Sequence, residues 1–266
     1  MTSPKAILRG AFAAAVLVGT TLAARAADIP SPRQEPVAPV PLAPALTFKG
    51  AAYLWATGLE GRMRTLPPLP TVKVDIGFDQ VMKNFDGGIM GAGEIGYGRY
   101  LLFFDVIASK ISPNKTVYPA GVPAGVKVDS ASFIGLAAVG YRFVDTDRYS
   151  LDGFAGVRGF STRNTLRVQL LPGTLKLSES EQWADAVIGA RLRLNLTPSW
   201  YLTTIGFVGK GASRYEWDVF GGVGYVIDER WSAFAGYRAM KVDYRNGNFI
   251  FDALQQGPVL GLTSRF

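Results

Sequence analysis

The chain contains no histidine and no cysteine among its 266 residues. Without histidine it lacks the side chain that most often serves as general base and as metal ligand near neutral pH. Ser-His-Asp, Cys-His and Asp-His hydrolytic chemistry are all excluded on that ground. Without cysteine no disulfide can staple the fold, whatever compartment the protein reaches. The basic excess is also slight once its distribution is considered. The formal charge is +7, yet three of the 28 basic residues (Lys5, Arg9, Arg25) and no acidic one lie in the first 26 positions, leaving 25 against 21, or +4. Clustered basic runs, the usual footprint of nucleic-acid binding, are missing, so no nucleic-acid partner is expected.

The first segment reads as a secretory signal peptide covering residues 1–26. Lys5 and Arg9 precede an alanine-rich apolar run from Gly10 to Ala24, and Ala24-Arg25-Ala26 forms a small-x-small cleavage site. A membrane anchor would need about 20 apolar residues. Here the run is shorter and is interrupted by Gly19-Thr20-Thr21. Residues 27–46 follow as a Pro/Ala-rich leader without helical or strand period, suited to an extended, solvated conformation in the periplasm. A contact with the cell wall or a partner is the alternative reading of that stretch.

From Thr47 the period becomes two. In Trp183–Leu196 one face carries Ala184, Ala186, Ile188, Ala190, Leu192 and Leu194, while the other carries Asp185, Arg191, Arg193 and Asn195. Alternation sustained over more than ten residues suits a strand with lipid on one side and a lumen on the other. Soluble strands are usually about five or six residues long. The pattern predicts an all-β fold, a closed antiparallel transmembrane β-barrel occupying residues 47–266. About ten strands are expected, at 47–57, 87–98, 100–111, 124–143, 148–168, 174–196, 199–210, 214–227, 230–244 and 255–266. Tight turns at Gly98-Arg99, Asp145–Asp147, Leu196–Ser199 and Ile227–Arg230 alternate with connections that are mostly longer, near 58–86, 112–123, 169–173, 211–213 and 245–254. Beside the tight turns sit Tyr97, Tyr100, Tyr141, Phe143, Tyr149, Trp200, Tyr201, Tyr225 and Trp231, as expected of an aromatic girdle at headgroup level. A closed barrel pairs its own backbone, which makes the lack of disulfides unremarkable.

The last strand, Gly257–Phe266, ends on an aromatic residue. In this the chain resembles proteobacterial outer-membrane β-barrel proteins. It is similar in particular to a group of small, porin-like members through Ala52-Tyr-Leu-Trp-Ala-Thr-Gly-Leu-Glu-Gly61, Trp217-Asp218…Arg230-Trp231…Gly236-Tyr237-Arg238 and Gly257-Pro258…Gly261-Leu262…Phe266. The resemblance covers about residues 47–266. It implies outer-membrane localisation, contact with outer-membrane lipid, and reading of Phe266 as a signal by the barrel-assembly machinery. It implies no particular substrate or cofactor. A monomer is expected.

Three features invite a sharper reading. Gly91-Ala-Gly93-Glu-Ile-Gly96 matches the dinucleotide fingerprint in letters. That motif acts only where a strand meets a helix N-terminus, and here a turn and another strand follow. Within Val74–Asp86, Val81, Met82 and Phe85 fall at helical spacing after a possible cap at Asp79, giving either a short lid or plug helix or an ordinary surface loop. Finally, alternation sends Lys49, Arg142, Arg158, Arg191, Arg193, Arg238 and Arg265 into the lumen, together with Glu94, Asp105, Asp152, Asp185 and Asp218. Unpaired buried charge is costly, so these are expected to pair, Asp185 with Arg191 and Arg193, and Asp152 with Arg158. The lumenal set is either a structural core filling a narrow tube or a selectivity lining for anionic solutes. Two functions follow from the sequence, both non-enzymatic. One is a barrel with a charged, filled lumen and a structural or surface-interaction role. The other is a narrow channel with slight anion preference.

Overall fold

Period-two alternation from Leu46 onward becomes a wall of strands in the computed structural model, which describes residues 45–67, 69–83, 85–112, 114–117, 124–170 and 173–266. The expected signal peptide 1–26, and the leader 27–46 up to residue 44, lie outside the described residues. In chain order the first elements are β1 (Leu46–Trp55), β2 (Gly58–Arg64), β3 (Val72–Ile76), α1 (Phe78–Lys83), β4 (Phe85–Tyr97), β5 (Tyr100–Ile111) and β6 (Asn114–Val117). The remainder are β7 (Ala124–Asp145), β8 (Tyr149–Leu170), β9 (Gly173–Asn195), β10 (Trp200–Gly211), β11 (Tyr215–Val226), β12 (Trp231–Asn246) and β13 (Phe249–Arg265).

Ten of these close a ring in the order β1-β4-β5-β7-β8-β9-β10-β11-β12-β13, each antiparallel to its neighbours. The seam joins first strand to last, from Lys49 opposite Arg265 to Trp55 opposite Val259. Beyond Trp55, β2 takes over beside β13 from Gln256 to Ile250, and β3 pairs with β2. The handover requires glycine at 257, because a Cβ there would lie 1.9 Å from the Ala56 carbonyl oxygen. β6 folds back along the first residues of β7. The glycine-rich Gly91–Gly96 stretch lies inside β4, with β5 following after a turn, so it has no helix to which a phosphate could be offered.

The four expected tight turns each have a local cause. Gly98 holds the left-handed conformation at φ 59°. Thr146 Oγ1 accepts from the Tyr149 N–H at 3.0 Å, Thr197 Oγ1 from the Trp200 N–H at 3.0 Å, and Asp228 Oδ1 from the Trp231 N–H at 2.7 Å. Side chains that cap their own turn in this way are why threonine and aspartate concentrate there. At the opposite, taller end the expected long connections are mostly strand. β7, β8 and β9 run for 22, 22 and 23 residues, about twice what spans hydrocarbon. The expected 245–254 connection is a tight reversal at Gly247-Asn248, with Gly247 at φ 51°. Val74–Asp86 divides between the end of β3, helix α1 and the start of β4. Asp79 lies in the first turn of α1 rather than capping it, and pairs with Lys83 across one turn at 3.5 Å. Val81 is buried, and the helix rests against β2.

The outward face is apolar over the ring, with Phe48, Leu54, Ile89, Phe133, Ile188 and Leu260 all exposed. At the turn end the girdle aromatics point outward, and several touch: Tyr100 meets Tyr141 edge-on at 5.5 Å, and Trp200 lies 4.9 Å from Tyr225. Tyr201 departs from the expected girdle. It is 6% exposed and faces inward, because it follows the outward Trp200 and adjacent strand residues point to opposite faces. Its ring fits because position 224 is glycine, where a Cβ would lie 2.0 Å from Tyr201 Cζ.

The topology generates a labelling prediction. With no native cysteine, Lys176→Cys at the tall end should react with a membrane-impermeant maleimide on intact cells. Glu229→Cys, in the β11–β12 turn, should react only after the outer membrane is opened. The reverse pattern would invert the barrel.

Candidate functional site

The lumenal charges form two layers. The layer nearer the turns is centred on Asp152, which the β-ladder places directly beside Arg142 on β7 and Arg191 on β9. Arg142 Nε donates to Asp152 Oδ1 at 2.8 Å, and Arg191 Nη2 donates to Oδ2 at 2.6 Å. Arg191 also reaches Glu94 on β4 at 2.5 Å, and Glu94 receives Lys49 Nζ at 2.9 Å. Register alone sets the contacts of Asp152 with its two arginines and of Lys49 with Glu94, while Arg191 to Glu94 crosses the lumen.

The second layer sits farther from the turns and is more deeply buried. Arg238 on β12 reaches Asp105 on β5 at 2.6 Å and Asp218 on β11 at 2.8 Å. Tyr53 on β1 closes the group: its hydroxyl donates to Asp105 Oδ1 at 2.6 Å and accepts from Arg238 Nη1 at 2.9 Å. Arg158 on β8 donates to Asp218 Oδ2 at 2.8 Å and to Glu216 Oε2 at 3.2 Å. Asp218 therefore joins two arginines from opposite sides of its strand. Charge-assisted bonds of this length are the strong class, and three carboxylates meet the two guanidiniums, leaving Arg158 Nε as the buried donor of this group without a partner.

Above this layer the interior is aromatic. Trp183 stacks on Tyr244 at 4.1 Å and on Phe160 at 5.0 Å, and Phe249 and Phe251 close around it. Offset ring pairs contribute about 0.5–1.5 kcal/mol beyond their buried area. Arg238 lies 5.1 Å from the Trp55 ring centre, which couples the charged and aromatic layers. Between the two charged layers Phe103, Phe154 and Phe207 pack together. Beside them is a cavity of about 230 Å³, and at the turn end a wider space of about 470 Å³ shares Lys49, Arg193, Tyr201 and Thr263 with it as lining.

Eleven of the twelve expected lumenal charges face the interior of the wall, and the twelfth, Arg265, is exposed and lines its turn-end opening. The expected partners differ. Asp152 pairs with Arg142 and Arg191 instead of Arg158, and Arg158 pairs with Glu216 and Asp218. Asp185, 1% exposed, accepts the Ser213 backbone N–H at 2.7 Å and pairs with neither Arg191 nor Arg193. A strand rises about 3.3 Å per residue, so residues six or eight positions apart on one face are about 20–26 Å apart along it and do not meet. Arg193 instead lies over the Tyr201 ring at 3.6 Å and donates to Asn195 at 3.1 Å. Two members were missed, Glu216 and Tyr53. Each was legible, since Glu216 shares a face with Asp218 and Tyr53 shares one with Lys49.

No family model matches the chain, and no curated protein matches it in sequence. Solved structures do resemble it. Outer membrane protease OmpT from Escherichia coli aligns with a TM-score of 0.55 at 10% identity, covering 84% of this chain and 97% of that one. The translocator domain of autotransporter NalP from Neisseria meningitidis aligns at 0.42 and 13% identity, covering 97% and 98%. The attachment invasion locus protein Ail of Yersinia pestis aligns at 0.35 and 14% identity, covering 83% and 98%. With its closed ring, apolar outer belt and aromatic girdle, the chain is a ten-stranded β-barrel of the outer-membrane type.

Proposed function

We propose that this is a non-enzymatic outer-membrane barrel whose side chains close the lumen, and whose role is structural or in interactions at the cell surface. The observation that carries the reading is the ion-pair layer of Asp105, Arg238, Asp218 and Arg158, continued by the Trp183 aromatic stack. Ten strands make a tube little wider than the eight-stranded kind that side chains fill. In this reading the tight turns face the periplasm and the tall strands stand above the outer leaflet. OmpT is a protease by name, but a chain with no histidine has no imidazole to activate a water or a hydroxyl. A narrow channel is the second reading, favoured by the cavity beside Phe103 and Phe207.

Planar-bilayer recording separates the two. The purified wild type should show no steady conductance, and a large stable current would promote the channel. Asp218→Ala takes one carboxylate from each of two buried guanidiniums, which keep Asp105 and Glu216, and should destabilise the barrel by about 3–5 kcal/mol, read as a lower melting temperature, with flickering leak. Asp185→Ala leaves only the buried Ser213 N–H without its acceptor and should cost less, about 1–3 kcal/mol. Equal effects of the two would mean that the Asp218 layer does not close the lumen.

The terminal residue supplies a test of biogenesis. Phe266 donates its backbone N–H to the Phe48 carbonyl at 2.9 Å, while its ring is 72% exposed on the lipid side. Such a ring adds little packing, so its place fits a recognition role for the barrel-assembly machinery. Deleting Phe266 should lower the heat-modifiable folded fraction in cells while leaving refolding of purified protein in detergent unchanged. Unchanged assembly in cells would reject that role.

A further inference from the structure

In the closed-lumen reading, the Asp105–Arg238–Asp218 layer leaves space on its turn side. The cavity there meets that layer at its inner end, and its lining includes Phe103, Leu136, Ile205, Phe207, Phe220 and Val259. At its other end it continues into the turn-end space through Lys49, Arg193, Tyr201 and Thr263. The mouth is therefore wet and charged while the chamber is mostly apolar, an arrangement typical of small-molecule sites.

The turn-end space is lined by Lys49, Arg193, Arg230 and Arg265 and by Asp147, Asp228 and Glu229, but not every base there is paired. Lys49, Arg142 and Arg191 are each held by Glu94 or Asp152. Among the described residues neither Arg193 nor Arg265 has a carboxylate within ion-pair distance, and both line the turn-end space. Arg193 is not loose: the Tyr201 ring lies against its flat face and Asn195 takes its Nε–H, while its guanidinium has no carboxylate partner among the described residues. A guanidinium so oriented suits two-point binding of a carboxylate.

We propose that the barrel holds a blind pocket, open to the periplasm, that binds an amphiphilic organic anion. The acidic head lies at Arg193 with Arg265 beside it, and the apolar body enters the chamber among Phe103, Ile205 and Phe207. The inference rests on the reading of the lumen as closed at its tall end. It differs from a channel in that the ligand enters and leaves by the same mouth.

The full chain, exchanged from detergent into lipid nanodiscs, can be titrated calorimetrically with 2-naphthoate and with its neutral isostere 2-naphthamide, empty nanodiscs serving as the partition blank. One saturable site per barrel is expected for the acid, with the amide at least about tenfold weaker. Arg193→Gln should erase the difference between acid and amide without lowering the melting temperature by more than a few degrees. Ile205→Phe, which narrows the chamber, should weaken both probes while leaving their ratio intact. Should Arg193→Gln fail to fold, Arg265→Gln, at the exposed mouth, is expected to reduce the acid-to-amide preference in the same direction. Equal binding of the two probes, or a preference untouched by either arginine substitution, would overturn the anion site. Absence of any saturable binding would overturn the pocket. Conductance of the same preparation separates the premises: binding together with a steady open current would refute the closed lumen and the blind pocket, while leaving the arginine head site in place.

Discussion

In hydrocarbon each unpaired peptide N–H or C=O costs several kcal/mol, so a sheet crosses a membrane only when its first strand meets its last. Here that meeting is β1 against β13, Lys49 opposite Arg265 to Trp55 opposite Val259. The seam is short because β1 ends at Trp55, and β2 continues the pairing of β13 beyond it. Glycine 257 is what allows the two segments to change over without a gap in the ladder, since any side chain there would strike the Ala56 carbonyl. Closure then sets everything inside. Once ten strands share one ring, each inward residue acquires a fixed height and a fixed set of facing neighbours.

The interior answers that confinement in two different ways. Rings are seated against glycine, Tyr201 against Gly224 and Phe207 against Gly189, so that bulky side chains occupy a wall that would otherwise be too close. Charges are paired across the tube, Arg238 to Asp105 and Arg158 to Asp218. A buried pair of this kind is no guarantee of stability, since well-packed apolar residues often do as well. Its consequence is specificity: an arginine with two carboxylate partners on different strands accepts one register and one shear. The aromatic stack around Trp183 lacks that selectivity and fills the tube beyond the charges with apolar rings.

The two ends of the molecule differ for the same physical reasons. At the turn end reversals are tight, capped by Thr146, Thr197 and Asp228, and ringed by aromatics that sit between headgroup and hydrocarbon. At the tall end β7, β8 and β9 continue as paired strands, and their outward residues become Arg163, Arg167 and Lys176 in place of the apolar belt. Regular pairing continues there because a long hairpin satisfies its own backbone in water as well as in lipid. The polar switch marks where the lipid stops.

Alternation by itself determined the fold class, a wall of about ten strands and the face on which nearly every lumenal charge lies. A period of two is a local property of extended backbone, and it survives whatever the neighbours are. Asp185 illustrates both the reach and the end of that information. Its inward direction follows from the six apolar residues that alternate with its own face, yet its partner is the Ser213 N–H, 28 residues away and two residues past the end of β10. The pairing of Arg158 with Asp218 and of Arg191 with Glu94 likewise joins strands that are not neighbours. Those contacts depend on shear, on the twist of each strand and on the height at which ten strands meet. These are properties of the closed ring as a whole, so only the tertiary structure decided them.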